Sequence, residues 1–329
     1  MGCEGMKKLY LITGGAGHIA SVLISRILPW DVDIRTLELP GRRGTIPPGA
    51  EVYEGDITVP GSMTAFFDTA GYDTVTLIHC AGRISIASEP DPLIWQVNVD
   101  GTENVLWAAL ASRVDRVIYV SSVHAISEKP AGEIITEVDS FSADLVCGQY
   151  AQSKAAATQL ALDYYRRGLN LSVVHPSGVI GPGDKNLQNN SIRTLHAMYD
   201  GRIPAAIRGG YDFVDSRDVV DGILACEELG RAGECYILSG HYITILDMLN
   251  TVRRLRGKKA AGLELPYGIA KAFAPAAEWG AKRFGEQTPF FTPYSVSVLH
   301  SNGRFSHEKA SATFGYVPRD ISVSIRDSL

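Results

Sequence analysis

The beginning of the chain contains the feature that most limits how it can fold. An apolar run at residues 9–12 leads into a glycine-rich turn, and apolar residues at helical spacing follow from Val22. A short continuous apolar run is typical of a strand buried on both faces of a parallel sheet. Gly15, Gly17 and Ala20 have the G-x-G-x-x-G/A spacing at which a pyrophosphate approaches the backbone at a helix N-terminus. The pattern therefore predicts a β-α-β unit that binds a dinucleotide.

Composition narrows the class of protein further. The chain has 329 residues, of which 45% are hydrophobic and 20% are charged, as in ordinary globular proteins. Its formal net charge is −5 without a block of like charge, so we expect no nucleic-acid partner. The five scattered cysteines form no Cys-x-x-Cys pair and no His/Cys cluster, which predicts no metal site and fits a reducing compartment.

Neither a secretory leader nor a membrane span is expected. The first apolar strand begins at Leu9, which leaves no room before it for the hydrophobic region of a leader. A later apolar helical pattern at residues 267–284 is interrupted by charged residues and is unsuited to crossing a bilayer. We therefore expect a cytoplasmic protein with no integral membrane segment.

The end of the second predicted strand bears on the choice of cofactor. This strand, at residues 33–37, runs into Glu38, which lies eighteen residues after Ala20. A carboxylate there accepts hydrogen bonds from the adenosine ribose hydroxyls and repels a 2′-phosphate, so Glu38 favours NAD. Arg42 and Arg43 follow in the loop and keep NADP open, because either guanidinium could reach a phosphate. Two solvated loop arginines explain them equally well.

Further cofactor contacts are expected where the next two strands end. Asp56 follows the third strand, and its carboxylate either meets the adenine amino group or serves as an ordinary turn residue. The fourth strand, at residues 75–78, is followed by Cys80, Ala81 and Gly82, whose small side chains suit a backbone that passes close to a ligand.

A long helix is predicted between the fourth and fifth strands, at residues 92–111. It carries Trp95 and Trp107. We expect both indoles to pack in the core rather than to contact a ligand.

A tyrosine and a lysine one helical turn apart indicate acid/base chemistry. Tyr150 and Lys154 open an alanine-rich run, so their side chains share one helix face. A nearby ammonium favours the phenolate and is expected to lower the pKa of Tyr150, which makes it a candidate general acid/base. The fifth strand, at residues 116–120, ends at Ser121 and Ser122, where a hydroxyl can bond a substrate oxygen that gains charge. Alone, a Tyr-x-x-x-Lys pair is far more often a pair of helix-surface residues, and two serines at a strand end are ordinary turn residues.

In combination, these motifs resemble the extended short-chain dehydrogenase/reductase family. The matching segments cover nearly the whole chain and are residues 13–20, 55–56, 81–82, 98–102, 121–122, 150–154, 175–184 and 213–219. The resemblance implies an α/β enzyme with a doubly wound parallel-sheet Rossmann fold and a smaller C-terminal substrate-binding lobe. The NAD(P)-binding Rossmann domain would span residues 1–182, and residues 183–329 would mainly form the lobe, with some segments returning to the first domain. The resemblance also implies a homodimer through helices that include the one bearing Tyr150, and a monomer is the alternative because monomers also occur in the family.

The resemblance also implies a role for each matching residue. Ser122, Tyr150 and Lys154 would be the catalytic triad, with Ser121 as the alternative serine and Lys154 also holding the nicotinamide ribose. His175 stands where many members carry arginine, and no role is assigned to it. The full set of expected cofactor contacts is Gly14, Gly15, Ala16, Gly17, His18, Ile19, Glu38, Asp56, Ile57, Cys80, Ala81, Gly82, Tyr150, Lys154, Pro176, Gly178 and Val179.

Gly178 separates the possible substrate classes. Nucleotide-sugar epimerases and dehydratases of this family usually carry an asparagine at this position, whereas residues 176–184 are similar to dihydroflavonol reductases and 3β-hydroxysteroid dehydrogenases. The sequence therefore predicts NAD(P)-dependent interconversion of a ketone and a secondary alcohol on a hydrophobic, steroid- or flavonoid-like small molecule. The alternatives are a nucleotide-sugar epimerase/dehydratase that retains its cofactor and a non-catalytic dinucleotide sensor, which would need the glycine turn but no acid/base group.

Overall fold

A computed structural model of the protein describes residues 6–42, 46–85, 89–184, 187–260, 263–283 and 292–329. Arg43, which the sequence offers as a phosphate ligand, lies outside the described residues. The strands of the described chain are β1 (Lys8–Thr13), β2 (Asp33–Glu38), β3 (Glu51–Glu54), β4 (Thr74–His79), β5 (Arg116–Val120), β6 (Leu171–Pro176), β7 (Gly178–Ile180), β8 (Ala206–Ile207), β9 (Gly210–Asp215), β10 (Cys235–Leu238), β11 (His241–Thr244) and β12 (Glu264–Leu265). Its helices are α1 (His18–Ile27), α2 (Pro92–Trp95), α3 (Gly101–Ala111), α4 (Gln149–Arg166), α5 (Asn190–Asp200), α6 (Ser216–Leu229), α7 (Ile245–Leu255), α8 (Tyr267–Arg283), α9 (Pro293–His300), α10 (Glu308–Phe314) and α11 (Ile321–Asp327).

Seven of these strands form one parallel sheet in the order β3-β2-β1-β4-β5-β6-β10. The direction of strand order reverses beside β1, because β2 and β3 extend the sheet on one side and β4 to β6 extend it on the other. Since the strands are parallel, their carboxyl ends meet at one edge. The crevice between β1 and β4 is then the switch point at which open α/β sheets bind ligands. The predicted doubly wound Rossmann fold is confirmed.

The central strands supply two separate cores, one on each face of the sheet. In β1, Leu9 and Leu11 belong to one apolar cluster, whereas Tyr10 and Ile12 belong to the other, because successive strand side chains point to opposite faces. Residues of α3 and α4 complete the first cluster, and residues of α1 and α6 complete the second. Burial on both faces is the reason that these strands are continuously apolar.

The C-terminal half contributes both to this sheet and to smaller elements beside its carboxyl edge. Strand β10 joins the central sheet next to β6, while β7, β9 and β11 form a three-stranded sheet and β8 pairs with β12. The parallel pairing of β7 with β9 sets Gly178 opposite Phe213. Among the described residues, no helix combines the length and the apolar character that crossing a membrane requires.

The helical segment between β4 and β5 forms as predicted, with a π-helical turn at Gln96–Asp100 between α2 and α3. Its tryptophans, however, are exposed: 46% of Trp95 and 61% of Trp107 is accessible. Val105, Leu106 and Ala109 are the residues of α3 that face the sheet, and their spacing leaves Trp107 on the opposite side of the helix. The prediction of core tryptophans is therefore wrong.

Candidate active site

The glycine turn after β1 packs so closely that side chains are excluded from it. Gly14 has a φ of +75°, and a Cβ at this position would lie 2.9 Å from the Ala81 Cα. A Cβ on Gly15 would collide with the hydroxyl oxygen of Thr36. The amide of Gly17 donates to the carbonyl oxygen of Gly14 at 2.9 Å, and helix α1 begins at the next residue. The turn therefore presents bare backbone at a helix N-terminus, which is the surface that a pyrophosphate requires.

Glu38 ends β2 beside this turn, and 8% of it is exposed. Its Oε2 accepts a hydrogen bond from the amide of Ala16 at 2.9 Å, and its Oε1 accepts one from the amide of Leu39 at 3.0 Å. These bonds hold a carboxylate against the glycine turn. Arg42 lies further along the same loop and is exposed.

The other expected cofactor contacts lie around the same crevice, with two differences in detail. Asp56 Oδ1 accepts from the amide and the hydroxyl of Thr58, both at 2.8 Å, so this oxygen serves the turn. His18 directs its side chain away from the turn, since Nε2 lies 2.9 Å from the Pro182 carbonyl oxygen and Nδ1 lies 3.1 Å from Asn189 Nδ2. Only the His18 backbone remains placed for an anion.

Small residues line the crevice on the β4 side and after β6. The Ala81 amide donates to the Thr13 hydroxyl at 3.1 Å, which ties the segment after β4 to the end of β1. Burial raises the pKa of the half-buried Cys80 thiol to about 12, so it is an unreactive neighbour. A Cβ on Gly82 would lie 3.5 Å from the Lys154 ammonium. The remaining expected cofactor contacts are Ile57 and Pro176, which are buried, and Gly178 and Val179, which are partly exposed.

Tyr150, Lys154 and Ser122 meet where β5 ends. Helix α4 begins after Gly148 and carries Tyr150 and Lys154 on its first turns, with exposures of 8% and 5%. The Ser122 hydroxyl lies near enough to the Tyr150 phenol to lower its pKa. The Lys154 ammonium donates to the Val120 carbonyl oxygen at 3.1 Å. Three segments thus place a phenol, a hydroxyl and an ammonium within one buried space.

The pKa values of this group differ from the expectation. Burial raises the pKa of Tyr150 to about 12, although the nearby Ser122 hydroxyl acts to lower it. Burial also lowers the pKa of Lys154 to about 8. The expected lowering of the Tyr150 pKa by Lys154 is therefore wrong for the protein alone, because removal of both groups from water disfavours both charged forms.

The two serines after β5 point to different neighbours. The Ser121 hydroxyl lies 2.7 Å from the Thr158 hydroxyl in the interior, against α4. The Ser122 hydroxyl accepts from the amide of His124 at 3.2 Å and faces Tyr150. Ser122 is thus the serine that the fold brings to the phenol.

His175, to which the sequence assigns no role, supports Ser122 from the next strand. Its Nδ1 lies 2.9 Å from the Ser122 carbonyl oxygen, so this nitrogen carries the proton and donates it. The ring stacks on Phe141 with centroids 5.3 Å apart, and burial lowers the pKa of His175 to about 4. The imidazole is therefore a neutral donor that positions the serine backbone.

Asn98 begins the matching segment 98–102, to which the sequence analysis assigned no role, and the structure shows it to be a second positioning residue. Its Oδ1 accepts from the amide of Arg83 at 2.7 Å, and its Nδ2 donates to the Arg83 carbonyl oxygen at 3.0 Å and to the Ser153 hydroxyl at 2.9 Å. It thereby ties the segment after β4 to the helix that carries Tyr150. In the sequence, the signal for this role was a polar amide side chain within a helix that is predicted to pack on the sheet.

An aromatic cluster covers the same space, and its members come from distant segments. The His124 ring meets the Tyr150 ring edge-on at a centroid distance of 5.8 Å and stacks on Tyr211 at 5.7 Å. The Tyr294 ring lies 6.4 Å from His124. No local motif marks Tyr211 or Tyr294, because separate parts of the C-terminal half supply them.

This combination of a switch-point glycine turn and a buried Ser/Tyr/Lys group defines the class of the protein, an extended short-chain dehydrogenase/reductase with a Rossmann fold. The chain belongs to the NAD dependent epimerase/dehydratase family, whose family model matches residues 10–238. It is an enzyme family, and the predicted resemblance is confirmed. Within the described residues, no group of three or more His, Cys, Asp and Glu side chains is arranged to hold a metal ion.

Individual relatives resemble the chain over almost its full length. The protein named "Putative dihydroflavonol 4-reductase" from Synechocystis sp. is 27% identical over 329 residues, which are 98% of this chain and 94% of the relative. The 3 beta-hydroxysteroid dehydrogenase/Delta 5-->4-isomerase of Mycobacterium tuberculosis is 27% identical over 334 residues, covering 94% of this chain and 85% of the relative. The crystal structure of gox2253 has a TM-score of 0.82 and 29% identity, covering 97% of this chain and 96% of that one.

Proposed function

We propose that the protein is an NAD-dependent oxidoreductase that interconverts a ketone and a secondary alcohol on a hydrophobic small molecule. The observation that carries this proposal is that Ser122, Tyr150 and Lys154 are all buried where β5 ends, with Ser122 near the Tyr150 phenol and Lys154 one helical turn away. A proton carrier, a second hydrogen-bond donor and a cation converge on one point. Together these groups can transfer a proton to or from a substrate oxygen and stabilise the charge that develops on it.

The residues at the switch point fit a dinucleotide, because bare glycine backbone and small side chains leave room where a Cβ would collide. Residues 14–19, Glu38, Asp56 and Ile57 would hold its adenosine and pyrophosphate. The nicotinamide end would be held by residues 80–82, Tyr150, Lys154, Pro176, Gly178 and Val179. The bound cofactor would supply the redox chemistry, with NAD as acceptor of a hydride from the carbinol carbon and NADH as its donor to a ketone.

Each residue of the triad has a distinct task. Ser122 donates a hydrogen bond to the substrate oxygen and orients it. Tyr150 exchanges a proton with the same oxygen, as base towards an alcohol and as acid towards a ketone. Lys154 stabilises the phenolate form through its charge. Because the pKa of Tyr150 is about 12 in the protein alone, the phenol is protonated at neutral pH and ready to donate to a ketone.

Glu38 supports NAD over NADP. Its carboxylate is held at the glycine turn by the amides of Ala16 and Leu39, where it would accept from ribose hydroxyls and repel a 2′-phosphate. Arg42 is the described residue that could oppose this preference. We expect Glu38→Ser to raise kcat/KM with NADP relative to NAD, and Glu38→Ser with Arg42→Ala to lose that gain. An unchanged cofactor ratio in Glu38→Ser would contradict the assignment.

An apolar substrate is supported by the surroundings of Gly178. A Cβ there would lie 2.8 Å from the Phe213 ring, so the amide side chain that serves nucleotide-sugar enzymes has no room. The names of two relatives refer to a dihydroflavonol and to a hydroxysteroid, which are ring-containing, weakly polar molecules. Both observations support a steroid- or flavonoid-like substrate.

The test measures nicotinamide absorbance with NAD or NADP against hydroxysteroids, flavanonols, simple secondary alcohols and UDP-sugars. We expect net reduction of NAD with an apolar alcohol, and loss of most turnover in Tyr150→Phe with cofactor binding retained. Tyr53→Phe, which removes a phenol bonded to Glu51 on the surface, is the matched control. Unchanged turnover in Tyr150→Phe would refute the triad. Conversion of a UDP-sugar without net redox, by protein that retains its cofactor, would instead establish the epimerase alternative.

Self-association is part of the proposal. The exposed Trp95 and Trp107 lie on the helices beside α4, and burying two indoles is a strong reason for two copies to pair. We expect a homodimer by sedimentation, and a monomer after Trp95→Ser with Trp107→Ser. A wild-type monomer at micromolar concentration would contradict pairing.

A further inference from the structure

The side of helix α8 that faces solvent is apolar. Ala270, Ala274 and Glu278 are buried and follow one another at intervals of four residues, so they mark the side of the helix that packs on the protein. The opposite side carries two aromatic rings that are largely exposed, since 67% of Phe273 and 71% of Trp279 is accessible. A helix that is apolar on both sides has a second surface to cover. We call the outward residues the apolar stripe, and they are Ile269, Ala272, Phe273, Ala276 and Trp279.

The inward side of α8 packs on small elements of the C-terminal half. Ala270 and Ala274 form an apolar cluster with Ile207 of β8 and Val296 of α9. Strand β8 pairs with β12, which ends just before α8 begins, and α7 also packs on β8. The end of α7 and helix α8 therefore adjoin the same short sheet.

The chain from the end of α7 to the end of α8 carries charge of the opposite sign to the rest of the protein. Residues 253–283 contain eight basic and two acidic residues, a net charge of +6, so the remainder of a chain of net charge −5 carries −11. Of the two acidic residues, Glu278 is buried, and the carboxylate of Glu264 lies 3.4 Å from the Arg208 guanidinium. The apolar stripe thus lies within a part of the chain that attracts anions.

Five of these cations lie close together in residues 253–259, which we call the basic segment, where two uncharged residues interrupt them. Lys258 and Lys259 are exposed beside the turn that ends α7. The side chain of Arg254 is exposed and donates to the Thr251 hydroxyl at 2.9 Å, a bond that does not neutralise the guanidinium. The charge of the basic segment is therefore available to a partner.

We propose that α8 and the basic segment bind the surface of a bilayer that contains anionic phospholipids. The apolar stripe enters the boundary between the head groups and the acyl chains, where a tryptophan side chain is favoured. The cations of the basic segment bind the lipid phosphates. Helix α8 lies in the plane of the surface, because no helix of the described chain is suited to crossing a membrane. This inference goes beyond the proposed oxidoreductase function and does not depend on it.

Charge favours a bilayer over a second copy of the chain as the partner of this face. Two copies joined through α8 would bring together two segments that each carry +6, and like charges repel. An anionic surface attracts residues 253–283 and repels the remainder of the chain, which carries −11. The same charge distribution therefore also orients the protein on the surface.

Sedimentation with lipid vesicles measures the binding. The full chain is mixed with vesicles of phosphatidylcholine alone or of phosphatidylcholine with phosphatidylglycerol. We expect stronger partitioning into the anionic vesicles, and a decrease as the salt concentration is raised. Phe273→Ser/Trp279→Ser should reduce this partitioning about 100-fold. The matched control Val59→Ser/Val317→Ser, which alters two exposed apolar residues elsewhere, should leave it unchanged.

A second pair of variants tests the charges. Lys258→Gln/Lys259→Gln removes two cations of the basic segment and should weaken partitioning about 25-fold, at about fivefold for each cation. Lys7→Gln/Arg113→Gln removes two exposed cations outside residues 253–283 and should have a much smaller effect. An equal effect of the two pairs would overturn the assignment of the basic segment.

Fluorescence quenching by brominated phospholipids locates Trp279 in the bilayer. We expect the anionic brominated vesicles to quench part of the wild-type emission. Trp279→Phe keeps an aromatic ring, so it should bind the vesicles as the wild type does, but the quenching should be lost because Trp30, Trp95 and Trp107 remain in water. Unchanged quenching in Trp279→Phe would mean that another indole enters the bilayer, and the proposal would fail.

The remaining outcomes decide the partner of the face. The substituted side chains are exposed, so we expect each variant to keep the wild-type Tm. Absence of binding to the anionic vesicles, or unchanged binding by Phe273→Ser/Trp279→Ser, would overturn the proposal. A dimer that Phe273→Ser/Trp279→Ser dissociates, without vesicle binding by the wild type, would assign the face to a second copy instead. None of these measurements uses turnover, so failure of the oxidoreductase proposal would leave their result intact.

Discussion

Nδ1 of His175 lies 2.9 Å from the backbone carbonyl oxygen of Ser122. This bond joins the side chain of β6 to the loop after β5, and it holds the serine that faces Tyr150. The location of the Ser122 hydroxyl therefore depends on a neighbouring strand as well as on its own loop. His175 acts through Ser122 and does not itself reach the reacting atoms.

Replacing His175 should lower turnover without weakening cofactor binding. His175→Phe keeps a ring to stack on Phe141 but removes the donor, so Ser122 loses one restraint. We expect kcat to fall about fivefold, as for the loss of one buried hydrogen bond of roughly 1 kcal/mol, with the Kd for NAD unchanged. His175→Asn, which restores an N–H group, should recover part of the loss. Wild-type kcat in His175→Phe would show that Ser122 needs no such support.

The two adjacent serines should separate into an activity effect and a stability effect. Ser122→Ala removes the hydrogen bond to the substrate oxygen, and we expect kcat to fall about 100-fold with little change in Tm. Ser121→Ala leaves the buried Thr158 hydroxyl with one partner fewer. We expect it to lower the free energy of unfolding by about 1 kcal/mol and to retain activity. Steady-state kinetics and urea unfolding check both, and the reverse pattern would make Ser121 the catalytic serine.

Lys154→Met should stabilise the protein while it abolishes turnover. Burial lowers the pKa of Lys154 from 10.5 to about 8, so at pH 7 the folded state holds a disfavoured charge. Between pH 8 and 10.5 the unfolded chain binds this proton and the folded chain does not, so wild-type stability rises with pH in that window. The increase in the free energy of unfolding that Lys154→Met causes should therefore be largest below pH 8, at roughly 3 kcal/mol. It should vanish near pH 10.5.

Urea midpoints at pH 7 and pH 10 measure this gain. Lys258→Met, at an exposed position, serves as the control and should change neither midpoint. A Lys154→Met protein that is less stable than wild type at both pH values would show that Lys154 is held by favourable contacts.

Acid should destabilise the fold through buried neutral histidines. Burial lowers the pKa of His124 and of His175 from 6.5 to about 4, and that of His79 to about 3. Below pH 6.5 the unfolded chain binds protons that the folded chain does not bind. The free energy of unfolding therefore has its full value above pH 6.5 and decreases as the pH falls towards 4. We expect the urea midpoint to drop steeply from pH 6.5 to pH 4. His175→Gln should make the drop shallower, whereas His241→Gln, which removes an exposed imidazole, should not.

Gly15→Ala should disrupt the cofactor turn through one contact. The added methyl group collides with the Thr36 hydroxyl, while the Thr36 Cβ lies 3.0 Å away. We expect weaker NAD binding and a lower Tm, with partial recovery in Gly15→Ala/Thr36→Ala because the nearest atom is gone. Gly268→Ala, in α8 with open space around it, is the control. Titration with NAD and thermal unfolding are the readouts, and a tolerated Gly15→Ala would mean that the turn can shift.

Local motifs were sufficient to predict the residues that now surround the crevice. Gly15, Gly17, Ser122, Tyr150 and Lys154 each follow a recognisable strand or open a helix, and in a parallel sheet such positions share one edge. The doubly wound fold and the enzyme class are confirmed for this reason. Their roles in catalysis stay predictions until the variants are measured.

The pKa of Tyr150 and the exposure of Trp107 could not be predicted in the same way. A Tyr-x-x-x-Lys spacing states that two side chains share a helix face, but it does not state how far water is excluded from them. Burial raises the pKa of the Tyr150 phenol, although the nearby Ser122 hydroxyl acts to lower it. Likewise, an indole on a helix is core or surface according to which face meets the sheet.

The sequence by itself determined the order of strands and helices, the glycine turn and the Tyr150–Lys154 pair, because these depend on spacing along one continuous segment. Only the tertiary structure decided that Ser122 rather than Ser121 lies near Tyr150, that His175 supports Ser122, and that Tyr211 and Tyr294 join His124 beside Tyr150. Those relationships join segments far apart in the chain. They are decided by packing and by exclusion of water, neither of which has a local signature.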